Sequence, residues 1–296
     1  MSNLKHTFIA MRPRQWIKNL LVFAALLFSR ELFHVEHITE TLLAFAAFCL
    51  SASAIYLIND VRDKEEDVHH PVKKNRPIAA GKVSVSEAYS VAVILLLVSF
   101  GGSYLLLPLN FLLILGGYLT MNILYSAGLK KVVIIDLLIV SIGFVLRAIA
   151  GAVAISVSIS PWLLGTTFFV ALFLILGKRR HELITLGADG ANHRSVLDEY
   201  SKEMLDALLI IVTTSTIMMY VLYTLAERTI EIFGTANLVY TVVFVVYGIF
   251  RAFYLIYQKQ QGGAPTEMLL SDRPLQINIL LWIVTVSSII YSGAAT

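Results

Sequence analysis

Apolar residues in this chain come in long, nearly unbroken runs. They do not show the every-other-residue alternation of a half-buried strand. Nine runs stand near residues 16–30, 40–59, 86–107, 110–127, 133–155, 161–178, 206–226, 236–258 and 275–292. Runs of this length cross a hydrocarbon layer as helices, because only a helix satisfies its own backbone groups there. The ten-residue alternating segments of a membrane β-barrel are missing. Pro108 separates the third run from the fourth, and Ser160-Pro161 separates the fifth from the sixth, since proline is tolerated at a helix start. The first run is short, and Trp16 reads as an aromatic anchor at the interface. The pattern predicts an all-α, polytopic membrane bundle of about nine transmembrane helices, taken as one domain over 1–296.

Composition agrees. The chain is 57% hydrophobic and only 15% charged, where a soluble domain carries about a quarter charged residues. The net charge of +3 matters less than where the cations lie. Lys5, Arg12, Arg14 and Lys18 precede or open the first run. Arg62, Lys64, Lys73, Lys74, Arg76 and Lys82 fill the second connection. Lys130 and Lys131 follow the fourth run, and Lys178, Arg179, Arg180, Arg194 and Lys202 follow the sixth. The other side has little beyond Arg30 and Arg228. The positive-inside rule then places the amino terminus and the long charged loops in the cytoplasm of a multi-pass cell (inner) membrane protein, with function expected on that face. No cleavable leader is expected from the short polar start. Cys49 lies within an apolar run and reads as a packing residue; one cysteine allows no disulfide within a chain.

The densest chemistry is Asn59-Asp60-Val61-Arg62-Asp63-Lys64-Glu65-Glu66-Asp67. Asp60, Asp63 and Asp67 share one face of a helix. Like charges on one face repel unless a cation sits among them. Oxygen donors at this spacing suit Mg²⁺, which also takes phosphate oxygens. Glu65 and Glu66 read as an ordinary solvated helix end. His69 and His70 read as solvated loop residues, and so do Asp189, Asp198, Glu199 and Glu203. Downstream, Lys73 and Arg76 can meet phosphate, the arginine as a bidentate fork. Asp136 and Arg147 lie eleven residues apart within one run. Ionisable groups inside a span face a cavity or a partner. Arg147 could therefore contact Asp136, another helix or a substrate phosphate. Gly143 and Gly151 would allow close helix approach.

Asn59-Asp-x-x-Asp63-x-x-x-Asp67 followed by Arg76-Pro77-Ile78-Ala79-Ala80-Gly81 resembles the first signature of the UbiA superfamily of intramembrane prenyltransferases. Tyr125 and Lys130 resemble that family's Tyr and Lys between the fourth and fifth helices. The resemblance implies helices around a central cavity opening to the cytoplasmic face. It also implies Mg²⁺ held by Asp60, Asp63 and Asp67 against a diphosphate. The family's second motif, Asp-x-x-x-Asp, is replaced by Gly177-Lys178-Arg179-Arg180-His181-Glu182-Leu183, where only Glu182 is acidic. That departure, with Met11–Asn19 and Gly143–Gly151, is similar to the branch of polyprenyl-phosphate phosphoribosyltransferases. For that branch the donor is phosphoribosyl pyrophosphate and the acceptor a polyprenyl phosphate.

This implies catalysis by Asp60, Asp63, Asp67 and Lys130. Substrate binding would fall to Lys18, Asn59, Lys73, Arg76, Tyr125, Asp136, Arg147, Lys178, Arg179 and Glu182. Asp136 would supply part of what the second Asp motif supplies elsewhere. The partners are the two substrates and the bilayer, with no nucleic acid; a homo-oligomer is open to such a chain. The alternative is prenyl transfer from a polyprenyl diphosphate to an aromatic acceptor. A non-enzymatic lipid transporter fits less well, because the charges cluster on one face rather than at midplane.

Overall fold

A computed structural model describes residues 2–69, 73–186 and 195–292; His70, Asp189 and Arg194 lie outside the described residues. Among the described residues there is no strand. Eight helices are long and apolar enough to cross a membrane. They are α1 (Val35–Arg62), α2 (Val85–Leu106), α3 (Leu109–Ala127), α4 (Ile135–Ala154), α5 (Pro161–Leu186), α6 (Lys202–Leu225), α7 (Val242–Tyr257, which with the 3-10 turn Asn237–Thr241 before it makes the span Asn237–Tyr257) and α8 (Arg273–Ser292).

The run near 16–30 departs from expectation. Its first part is a 3-10 helix, Pro13–Phe23, and only Ala24–Phe28 is α-helical. The Trp16 indole N–H donates to Ser53 Oγ of α1 at 3.0 Å.

The chain divides into two compact units. The first comprises residues 1–26, 33–129 and 146–157; the second comprises 27–32, 130–145 and 158–296. Helix α4 contributes to both.

The first unit is built on α1. Small residues line it: Ala44, Ser51, Ser53 and Ala54 are fully buried. Ser51 and Ala54 let α2 approach closely, the usual means of joining helices in lipid. Ser99 Oγ donates to the Ala47 carbonyl at 2.8 Å and shares a 2.9 Å hydrogen bond with Ser51 Oγ. The 3-10 segment packs with the end of α4 just as tightly. A Cβ on Gly151 would lie 1.9 Å from the Val22 carbonyl oxygen, so only glycine fits. The loop before α2 is pinned by Ile78, which is fully buried with Ala10, Ala54, Leu57 and Val83. Gly81, at φ 69°, supplies the left-handed turn. Ser84 caps α2 by accepting the Glu87 N–H at 3.1 Å.

The second unit holds α5 to α8. Leu137, Phe173, Leu176, Leu205, Leu209 and Leu255 are among its buried core residues. Arg251 of α7 forks onto Asp272 at 3.2 and 2.8 Å, and Asp272 accepts the Leu275 N–H at 2.9 Å at the start of α8. The guanidinium holds the Asp272 carboxyl below the usual carboxylate range.

Candidate active site

In the first unit, α1 runs past the end of its apolar stretch. It closes at Asp63, whose N–H donates to the Asn59 carbonyl at 2.9 Å. The Asp67 N–H then donates to the Asp63 carbonyl at 2.8 Å, within the short helix Lys64–His69. The chain is therefore close to helical from Asn59 to Asp67, and Asp60 and Asp67 come together on one arginine. Asp60 and Asp67 are buried, while Asn59 and Asp63 are half-buried. Glu65 and Glu66 are exposed, as a solvated helix end should be.

Two buried carboxylates on one face need positive charge, and arginine supplies it. Arg76 Nη1 donates to Asp67 Oδ2 at 2.6 Å and to Asp60 Oδ1 at 3.2 Å. Lys73 Nζ lies 3.9 Å from Asp67 Oδ1. Arg12 Nη2 donates to the same Asp60 Oδ1 that Arg76 uses. Its guanidinium also lies over the Tyr56 ring, 4.8 Å from the centroid. Arg12 adopts φ 56° and ψ 60°, a left-handed conformation that a non-glycine residue holds only when its surroundings enforce it. Arg12 was not among the site residues expected from sequence. It belongs to the Met11–Asn19 motif, but its partner is 48 residues away.

Arg147 of α4 forms a second cluster in this unit. Its Nε donates to Asn19 Oδ1 at 2.7 Å and its Nη2 to the Tyr118 hydroxyl at 2.9 Å. Its guanidinium lies over the Tyr118 ring at 4.8 Å. Arg147 therefore contacts a neighbouring helix, one of the options open to it. Eleven helical residues separate it from Asp136 by about 16 Å, out of direct reach. Lys18 is half-buried and within electrostatic reach of Arg147 and Arg12. Tyr125 is half-buried near the end of α3, and Lys130 lies in the 3-10 turn Leu129–Lys131.

The second unit presents a different kind of charge cluster. Arg179 Nε donates to Asp136 Oδ2 at 2.7 Å, and Arg179 Nη1 to Glu182 Oε2 at 2.7 Å. The other Asp136 oxygen accepts the Tyr200 hydroxyl at 2.7 Å, and that hydroxyl in turn accepts the Ile134 N–H at 2.7 Å. Burial, then the bond to Asp136, holds Tyr200 protonated well above the usual tyrosine range. Asp136 and Arg179 have side chains 0% and 1% exposed. Both Asp136 oxygens are thus engaged, one by Arg179 and one by Tyr200. Arg180 donates to Asp206 at 2.5 Å, beside Lys202 and Tyr257. Of the three consecutive cations only Lys178 is substantially exposed, at 3.6 Å from Glu182. Tyr200 and Asp206 carried no sequence signal. Asp198, Glu199 and Glu203 are exposed, as expected.

The donor set of the first unit fits a hard divalent cation. Its side chains offer oxygen only, and a single arginine nitrogen already bridges Asp60 and Asp67, marking a point where both carboxylates stabilise positive charge.

An all-helical membrane fold carrying this acidic–basic cluster defines a class. Residues 20–280 match the UbiA prenyltransferase family, and the chain belongs to it. It is a membrane transferase of that family. Within the family it is similar to decaprenyl-phosphate phosphoribosyltransferases. It is 37% identical to the Mycobacterium tuberculosis protein over 290 residues, 96% of this chain and 94% of that one. It is 37% identical to the Corynebacterium glutamicum protein over 288 residues, 95% of this chain and 86% of that one. Its fold is like that of a UbiA homologue from Archaeoglobus fulgidus solved with GPP and Mg²⁺. There the TM-score is 0.72 at 19% identity, covering 96% of this chain and 99% of that one.

Proposed function

We propose that this protein transfers the 5-phosphoribosyl group of phosphoribosyl pyrophosphate to a polyprenyl phosphate, on the cytoplasmic face of the cell membrane. The observation that carries this reading is the similarity, over nearly the whole length of both chains, to proteins named decaprenyl-phosphate phosphoribosyltransferase. In the reaction the C1–O bond to pyrophosphate breaks, and a new C1–O bond forms to the acceptor phosphate. Pyrophosphate leaves with the electron pair. The acceptor is already anionic at neutral pH, so no strong general base is needed.

Asp60, Asp63 and Asp67, with Asn59, are the residues that would hold Mg²⁺, which when bound neutralises charge building on the leaving group. Arg76 and Lys73 stand beside these carboxylates, placed to hold the diphosphate by preorganised charge. In the first unit Lys18, Arg147 and Tyr125 are proposed to hold further phosphate charge; Lys130, in the second unit, is proposed as a phosphate-binding and catalytic residue there. Of Lys178, Arg179 and Arg180 in the second unit, Lys178 is the partly exposed one and is proposed to meet phosphate. Asp136, Arg179 and Glu182 fix its helix end and act as positioning residues.

The test is direct. Purified protein in lipid nanodiscs receives labelled phosphoribosyl pyrophosphate, polyprenyl phosphate and Mg²⁺. A parallel reaction receives a polyprenyl diphosphate and an aromatic acceptor. Lipid-linked phosphoribose forming only in the first supports the reading; product only in the second overturns it.

A further inference from the structure

Two arginines occupy the ground that a cation and a diphosphate would need. Arg76 Nη1 touches both Asp60 and Asp67, two of the carboxylates that would hold a metal ion. Arg12 shares Asp60 Oδ1 with it. Adding a divalent cation while both guanidinium groups stay in place would crowd four or more positive charges around two buried carboxylates. One set of positive charge must leave. The carboxylates are 2–3% exposed at their side chains, but Arg12 and Arg76 are 29% and 27% exposed. The arginines are therefore the partly exposed partners and have room to turn outward, whereas the carboxylates are enclosed. The cost of releasing each arginine is moderated because its charge is already partly hydrated.

We infer that Arg12 and Arg76 are exchangeable binding residues. They neutralise Asp60 and Asp67 when the site is empty, and they turn onto the phosphates of the donor when metal and diphosphate arrive together. This rests on the metal-site reading proposed above. It adds Arg12 to the binding residues and requires metal and diphosphate to bind synergistically. A metal alone must displace the arginines and leave them unpaired; metal with diphosphate gives each released guanidinium a new anion. The strained backbone at Arg12 and its contact with Tyr56 keep the guanidinium at the edge of the site.

The experiment measures Mn²⁺ binding by its paramagnetic resonance signal in nanodiscs, with and without added pyrophosphate. The wild type should bind Mn²⁺ weakly alone and about two- to fivefold more tightly with pyrophosphate, a change worth one exchanged, partly exposed ion pair. Arg76→Gln and Arg12→Gln should each bind Mn²⁺ alone severalfold more tightly than wild type and lose most of the synergy. Arg76→Lys, which keeps the charge, should stay near wild type. Size-exclusion behaviour and thermal unfolding report folding, and Arg12→Gln carries the test if Arg76→Gln does not fold. Glutamine variants that bind Mn²⁺ no more tightly than wild type overturn the exchange. Asp60→Asn/Asp67→Asn separates the two readings. If that variant keeps wild-type Mn²⁺ binding, the metal site itself is wrong. If it loses binding while the arginine variants change nothing, only the exchange is wrong.

Discussion

Replacing Arg179 with methionine tests whether its charge serves Asp136 or a substrate. At an effective dielectric of about 20, unit charges at the observed 2.7 Å attract by roughly 6 kcal/mol. Burying both ions costs several kcal/mol each, so the pair as a whole contributes little net stability. Breaking it is another matter. Arg179→Met leaves Asp136 charged, fully buried and held only by Tyr200, which should cost about 3–5 kcal/mol. Adding Asp136→Asn removes the stranded charge and keeps an acceptor for the Tyr200 hydroxyl. The double variant should therefore regain roughly 2 kcal/mol relative to Arg179→Met, a non-additivity expected of residues in contact. The assay is unfolding free energy in mixed micelles for both single variants and the double, with turnover measured in parallel. If the two losses add, Arg179 is not held by Asp136 and the reasoning fails. If stability returns and turnover returns with it, Arg179 touches no reacting phosphate.

Asp67→Asn should lower turnover by about 10²-fold or more while the protein stays folded; a variant with wild-type turnover would refute the metal assignment. Gly151→Ala drives a Cβ into the Val22 carbonyl and forces the 3-10 segment or α4 to shift by well over an ångström. A loss of about 1–3 kcal/mol is expected, read as a lowered unfolding midpoint; an unchanged midpoint would mean the two backbones are not packed as described. Asp272 has its pKa depressed by Arg251 below the ordinary 3.8. Its stabilising effect is therefore present above that value and is lost as pH falls through the depressed one. Wild type should unfold at higher temperature than Asp272→Asn at pH 7, with the gap closing in acid below about pH 4. A gap that persists there would contradict the ion pair.

How much of this was legible in the sequence depended on distance along the chain. The runs at 133–155 and 275–292 match α4 and α8 within two residues, because length and apolarity alone select a spanning helix. The run at 40–59 became Val35–Arg62, since backbone hydrogen bonding does not stop where apolar side chains do. The run at 16–30 failed as a continuous α-helix. Its conformation is bound up with the close packing of Val22 on Gly151, a contact that no local pattern records. The nearness of Asp60 and Asp67 was legible because their spacing is local, and Arg76 because it lies nine residues from Asp67. Arg12 and Asp60 are 48 residues apart, and Tyr200 and Asp136 are 64 apart. Sequence spacing cannot pair such residues. It also cannot tell a buried arginine from a solvent-facing one, which is why Lys178, Arg179 and Arg180 looked alike.

Exposure is what separates the two kinds of ion pair in this chain. Arg76 and Arg12 are partly hydrated while their carboxylates are not; Arg179 and Asp136 are both dry. Mobile ions screen charges they can approach and hardly affect buried ones, and the screening length falls from about 10 Å at 0.1 M salt to about 3 Å at 1 M. Raising salt should therefore weaken the hold of Arg12 and Arg76 on their aspartates and should shrink the synergy between Mn²⁺ and pyrophosphate. The coupling between Asp136 and Arg179 should stay nearly constant over the same range. The comparison uses one protein and one salt series, with Mn²⁺ binding read on one side and the double-mutant coupling on the other. Equal salt sensitivity of both would mean that exposure does not decide which pairs yield to substrate, and the division between exchangeable and positioning arginines would fall.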